Sequence, residues 1–211
     1  MACNVFGNPI ENSTLNGMTE YKYTPIERKD RAKVALQMKN VGDKDCKALT
    51  FVENLKKQHG DGISTLCLIY NATGDNLTCS ISKDWCGHIG HFPYPALIAN
   101  GQWGAFLHVQ KLGPIEGSVA TVVYNGKNRY GEENGLLLAW SNNGCENKVF
   151  TESRPAEHYL DNVDWIPLIH DYVDKSGSYK SEKRGGWFST ISTGSGTSPI
   201  VEAIFTLDDA Y

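Results

Sequence analysis

The feature that most constrains the fold is a change of hydrophobic period near residue 63. Upstream, apolar residues recur at helical spacing. Downstream, short apolar runs, several alternating with period two, are separated by Gly, Asn, Pro and Asp. "ISTLCLIYN", "LTCSIS", "WGAFLHVQ", "SVATVVYN", "LLLAWS", "KVFTES" and "VEAIFTL" read as strands. Turn signals at Asn71 to Gly74, Gly113-Pro114, Asn125-Gly126 and Asn142 to Gly144 separate them. Many short strands between such turns predict a sandwich or barrel. Residues 153–186 are polar apart from "WIPLIHDYV", which reads as a short helix.

Two helices are expected ahead of the strands, within residues 22–60. In "TPIERKDRAKVALQMKN", Thr24 is the expected cap, Pro25 suits the first position, and Glu27 completes a capping box, giving a helix over 25–38. In "DKDCKALTFVENLKKQHG", Asp43 is the second expected cap and Gly60 the stop. Ala48, Leu49, Phe51, Val52 and Leu55 fall within one helical arc that must cover apolar surface. An α+β, mainly β chain follows. At 211 residues it is expected to be a single domain over 1–211, with helical 22–60 and a β-sandwich over 63–211.

Charge is uneven. Residues 22–60 carry ten Lys/Arg against five Asp/Glu, +5, whereas the remainder carries ten against nineteen, −9, within a total of −4. The plain expectation is a solvated helix pair on an acidic body; the alternatives are attraction between the two parts or an anionic surface. No nucleic acid partner and no cofactor are expected. The start "MACNVFGNPIENSTLNGM" lacks the basic-then-apolar order of a secretory signal, and no run is long enough to span a bilayer, so a cytoplasmic location is expected. In a reducing compartment the default state of Cys3, Cys46, Cys67, Cys79, Cys86 and Cys145 is the free thiol.

"CSISKDWCGHIGHFPYP" (79–95) concentrates the chemistry-bearing residues, and three readings compete for it. Cys79, Cys86, His88 and His91 are donors that zinc accepts, but C-x6-C-x-H-x2-H is not a strong zinc spacing. Leu77, Cys79 and Ile81 share one face of an alternating strand, which directs Cys79 into a core. A Cys79 to Cys86 disulfide would need a hairpin between them. The third reading displays Trp85, His88, His91, Phe92 and Tyr94 from a Gly/Pro-bent loop, where aromatic faces stack on sugars or attract choline-type cations. Its plain counterpart is that Phe92 and Tyr94 cover a sandwich edge. No nucleophile elbow, cysteine-protease signature or phosphate-cradling loop accompanies His108, His158 or His170, so no catalytic residues are expected.

"TLCLIYNATGDNL", "GHIGHFPYPALIANGQWGAFLHV", "GSVATVVYNG", "LLLAWS" and "ISTGSGTSPIVEAIFTLDD", in that order, resemble the plant jasmonate-induced proteins of about 23 kDa. More distantly, the succession is similar to the actinoporin-like superfamily of cytolysins and fungal lectins, which includes the sphingolipid-binding nakanori type. That resemblance implies an antiparallel β-sandwich with two N-terminal helices packed on it, and a stress or defence protein recognising a glycan or membrane lipid headgroup. Ser141 matches a serine of the actinoporin headgroup pocket, and Tyr159, Trp165 and Tyr172 lie where that pocket places tyrosines. Two departures matter. "NNGCENKVF" follows "LLLAWS" where actinoporins carry an aromatic cluster, and Arg28, Lys29, Asp30, Arg31 and Lys33 surround the first helix. Each charge costs about 2.5–3.5 kcal/mol on insertion into a bilayer, so binding without pore formation is expected. A structural or storage-like protein is the alternative, and a membrane-perforating cytolysin the second.

Overall fold

The computed structural model describes residues 4–111, 117–160 and 165–211. The Gly113-Pro114 turn lies outside them. Twelve strands are described: β1 Val5–Phe6, β2 Ser64–Ala72, β3 Leu77–Cys86, β4 His88–Ile89, β5 Leu97–Ile98, β6 Trp103–Val109, β7 Ser118–Lys127, β8 Glu133–Asn142, β9 Asn147–Pro155, β10 Tyr179–Arg184, β11 Trp187–Thr193 and β12 Ile200–Leu207. They form two facing sheets. One runs β1-β6-β2-β12-β11-β10 with β4 also on β6; the other runs β5-β3-β7-β8-β9. The mainly β sandwich expected from the period-two runs is present. Its pairings are antiparallel except β12 with β2, where the last strand inserts between β2 and β11 in parallel register, Ala203 opposite Ile69.

Alternation along β2 and β6 divides their side chains between two cores. Cys67, Ile69 and Phe106 point between the sheets to meet Trp140, Tyr124, Trp187 and Phe205. Leu66, Leu68, Tyr70, Trp103, Ala105 and Leu107 point outward against Val34, Ala48, Val52 and Leu55 of the helices. At roughly 1.5–3 kcal/mol per buried large aliphatic or aromatic side chain, this second layer is a main stabilising contribution. It explains why β2 and β6 are buried on both faces.

The α-helices ahead of β2 are α1 Asn12–Asn16, α2 Arg28–Gln37 and α3 Lys44–His59. The expected Thr24 cap is not used. Helix α2 starts three residues later than Pro25, at Arg28, with Glu27 as the capping residue, whose backbone N–H donates to Asp30 Oδ2 at 2.9 Å. Ile26, just ahead of it, is drawn into the helix-facing core, and this fixes the later start. In α3 the C-terminal stop is Gly60 as expected, at φ 88. Asp43 is the N-terminal boundary but makes no side-chain cap; its backbone is left-handed, φ 56.

The basic residues of this segment are only partly a solvated face. Arg28 donates to the carbonyls of Thr73, at 3.2 Å, and Lys127. Arg31 donates to Gly74 O at 2.9 Å and Asn12 Oδ1 at 2.7 Å, and Lys56 to Gly62 O at 2.7 Å. They thus serve as cationic staples to backbone acceptors, a role composition does not disclose. The Asn71 to Gly74 turn beneath them is buried: Asn71 Nδ2 donates to Asp75 O and Ile98 O, and Asn71 Oδ1 accepts from Thr73 N. Gly74 lets α2 approach, because a Cβ there would lie 2.2 Å from Arg28 O. Among the described residues no helix is long and apolar enough to cross a membrane.

Candidate functional site

The quoted stretch 79–95 does not form the loop expected of it. Strand β3 continues to Cys86, and after Gly87 the chain crosses to the other sheet as β4, whose His88 pairs with Val109. Gly87 marks the crossing: its φ is +97, and a Cβ would lie 2.4 Å from Val109 O. Register shifts between Cys79 and Ile81 and between Asp84 and Cys86 re-aim the side chains of β3. Leu77 and Cys79 therefore face the inter-sheet core, while Ile81 and Trp85 pack on the outer face of the five-stranded sheet. The expectation that Leu77, Cys79 and Ile81 share a face fails for this reason.

That outer face gathers four of the sequence candidates. Trp85, half-buried, packs in one cluster with Ile81, Val119 and Trp165 over Val123, Leu137, Ala139, Phe150, Tyr159 and Val173. Ser141, also half-buried, is the register partner of Val119. Trp165 opens a short helix, α4 Trp165–Pro167, which continues as a π-helical segment Leu168–Val173. The short helix expected at "WIPLIHDYV" is thus present. Tyr159 ends a 3-10 turn, Ala156–Tyr159, and stacks on Trp165 with ring centres 6.3 Å apart. Only 2% of Tyr159 is exposed, so it holds this segment down rather than presenting a ring. Its ring lies over Gly135, where a Cβ would come within 2.5 Å, and its hydroxyl donates to Glu152 Oε1 at 3.3 Å. Burial, reinforced by the Glu152 carboxylate, pushes the phenol well up.

Sequence reading did not anticipate the cation on this side. Lys180 Nζ lies 3.3 Å from the centre of the Phe150 ring, whose other neighbour is the half-exposed Tyr172 at 5.3 Å. The two partners come from β9 and β10, on different sheets, so no local spacing could have paired them. Lys148, opposite Ser141 in register, donates to Asp174 O at 2.6 Å and pairs with Glu146. The face therefore combines half-exposed indoles, a hydroxyl and ammonium groups.

The other three candidates lie elsewhere. Tyr94 packs edge-on against Phe106 at 4.8 Å and donates to Asp84 Oδ1 at 3.2 Å, which makes it part of the sandwich edge. Asp84 also meets His108 Nε2 at 3.3 Å, and His108 Nδ1 lies 2.8 Å from Ser118 Oγ. Trp140 Nε1 donates to the same Ser118 oxygen, and Thr65 Oγ1 lies 2.7 Å from it. This Asp-His-Ser series resembles a catalytic relay in connectivity only. Ser118 and His108 are fully buried, so the series bridges the two sheets with satisfied polar groups. His88 and His91 are exposed beside the seven-stranded sheet.

The four metal-donor candidates are dispersed. Cys79 is half-buried against the inter-sheet core, and burial raises its thiol. Cys86 closes the same strand seven positions on, a separation of roughly 20 Å at strand rise, against under 7 Å needed for a disulfide. Neither is in a disulfide. Among the described residues no group of three or more His, Cys, Asp or Glu is arranged to hold a metal ion.

Comparison with known proteins agrees with this architecture. The chain is 39% identical to the 23 kDa jasmonate-induced protein of Hordeum vulgare, over 97% of this chain and 98% of that one. It is 30% identical to a jasmonate-induced protein homolog of Atriplex canescens over 59% of this chain and 62% of that one. The crystal structure of the lipid-binding protein Nakanori superposes with a TM-score of 0.86 at 30% identity, covering 95% of this chain and 98% of that one. The model of Nakanori-like proteins matches residues 6–208, and the chain belongs to this family.

Proposed function

We propose that this protein is a non-catalytic recognition module of the plant stress response that binds a membrane lipid headgroup on the outer face of the five-stranded sheet. One observation carries the reading: Trp85 and Trp165, remote in sequence, are both half-buried against one apolar cluster on this face, on which Val119 carries Ser141 as its register partner. Indole faces attract choline-type cations and stack on sugars, and a strand-end hydroxyl adds a directional hydrogen bond. Kinship at 30% identity and near-complete coverage with a lipid-binding protein favours a lipid over a free glycan. The jasmonate-induced relative supports the stress role. The arginines of α2 are committed to sandwich carbonyls, which favours binding without insertion of that helix.

The test is co-sedimentation with sphingomyelin and phosphatidylcholine vesicles, alongside a glycan array. Binding that Trp85→Ala and Trp165→Ala each weaken while the fold is retained supports the proposal. Binding to glycans alone redirects it, and a folded protein that engages neither surface overturns it.

A further inference from the structure

On the opposite side of the molecule, where α3 covers the seven-stranded sheet, histidines converge. His59 ends α3 and His91 follows β4; both line a cleft of about 280 Å3 with Leu55, Gln58, Gly90 and Leu107. Gly90 opens its floor: a Cβ there would lie 2.9 Å from Leu107 O. His88, on β4, is close enough to act electrostatically on both His59 and the buried His108. His88 Nδ1 lies 2.8 Å from Ile89 O.

The charges around this cleft are predominantly positive. His59 is held below the ordinary imidazole range first by burial, then by Lys56 on its own helix and by His88 from β4. Lys111 acts on His108. The carboxylates nearby act on other groups: Asp61 on Lys56, and Asp84 on His108. Protonating the cleft thus adds like charges to like charges. An anion seated between the two rings reverses that balance.

We propose that the cleft between His59 and His91 is an anion site for a phosphate group, free or carried by a lipid headgroup, that fills as His59 protonates. Gln58 supplies a neutral donor beside them, over an apolar floor of Leu55 and Leu107. The site lies on the other outer face from Trp85 and Trp165, so the two proposals succeed or fail separately.

The test follows the imidazole resonances of His59 and His91 by NMR while inorganic phosphate replaces chloride at fixed ionic strength. Binding about tenfold tighter near pH 5.5 than near pH 7.5 is expected, read in parallel with sulfate, whose charge does not change over this range, because acidification adds the imidazolium charge of His59. By linkage, phosphate raises the pKa of His59. His59→Gln and His91→Gln lose the effect, whereas His158→Gln, on the 3-10 turn before Tyr159, keeps it. Phosphatidic acid vesicles near pH 5.5, with and without competing phosphate, separate the two sources. Binding of either source that is equal at both pH values or survives both glutamine variants overturns the proposal, as does no binding of either.

Discussion

Lys44 Nζ lies 3.1 Å from the phenolic oxygen of Tyr70, and both groups are buried between α3 and the seven-stranded sheet. The ammonium also donates to Gly101 O at 2.8 Å, and the phenol donates onward to Ala35 O near the end of α2. With neutral acceptors in place of a carboxylate, burial lowers the Lys44 pKa from 10.5 to about 8. The folded state therefore releases this proton before the unfolded chain does.

The consequence for stability has a definite sign. Below pH 8 both states are protonated and the folded state carries the full cost of the buried charge. Between about 8 and 10.5 the unfolded chain binds more protons, so stability from this group rises with pH, by at most about 3 kcal/mol. Urea unfolding of wild type and Lys44→Met from about pH 7 to 10 checks this. The difference between them should tilt in favour of wild type as pH rises. A constant difference refutes the account.

His108 gives a dependence of the same sign in an acidic window. Burial holds its pKa below 6.5 even though Asp84 pulls it upward, and the hydrogen bond from His108 holds Asp84 below 3.8. As pH falls below 6.5 the unfolded chain takes up the imidazole proton first, and below 3.8 the carboxyl proton first, so both groups withdraw stability on acidification. Asp84→Asn keeps an acceptor for Tyr94 but removes the charge that favours imidazolium. The His108 pKa in this variant, read by NMR, should fall further; a rise would show that burial is not the controlling influence.

Helix α2 docks on a backbone rather than on side chains alone. Gly74 has φ +78 and its missing Cβ leaves the space that Arg28 O occupies. Gly74→Ala combines left-handed strain with a backbone clash and should cost about 2–3 kcal/mol in denaturant unfolding. Gly177→Ala, where nothing lies within 4 Å, is the control and should be near neutral. Equal effects would remove the argument for close approach.

The strands from Ile63 onward were legible because alternation and turn residues are local properties. β10 and β11 were not: "YKSEKR" is polar on both faces, and its pairing with β11 is fixed by the sheet rather than by its own pattern. The site was legible in residue type but not in placement. The Gly87, Gly90, Pro93 and Pro95 that follow Trp85 predict a loop, whereas the irregular registers of β3, which no sequence period records, put it on the outer face. Ser141, Tyr159 and Trp165 were reached through family resemblance. The convergence of Tyr159 and Trp165 on the face that carries Trp85 depends on the chain after β9 folding back across that sheet.

Tyr159 and Trp85 therefore predict opposite outcomes. Tyr159 is sealed between Gly135 and Trp165 with its hydroxyl on Glu152, so Tyr159→Phe removes one buried hydrogen bond, at a cost of about 0.5–1.5 kcal/mol, without changing the surface. Glu152 keeps Arg154 at 2.9 Å, which limits the loss. Trp85→Ala removes a half-buried ring at the sheet edge and is expected to weaken vesicle binding while costing less stability than the about 3–5 kcal/mol of a fully buried Trp. Thermal unfolding and vesicle co-sedimentation of the two variants in parallel separate the packing role from the presenting one. If Tyr159→Phe loses binding with an intact fold, the phenol itself reaches the ligand, and the face extends inward beyond Trp165.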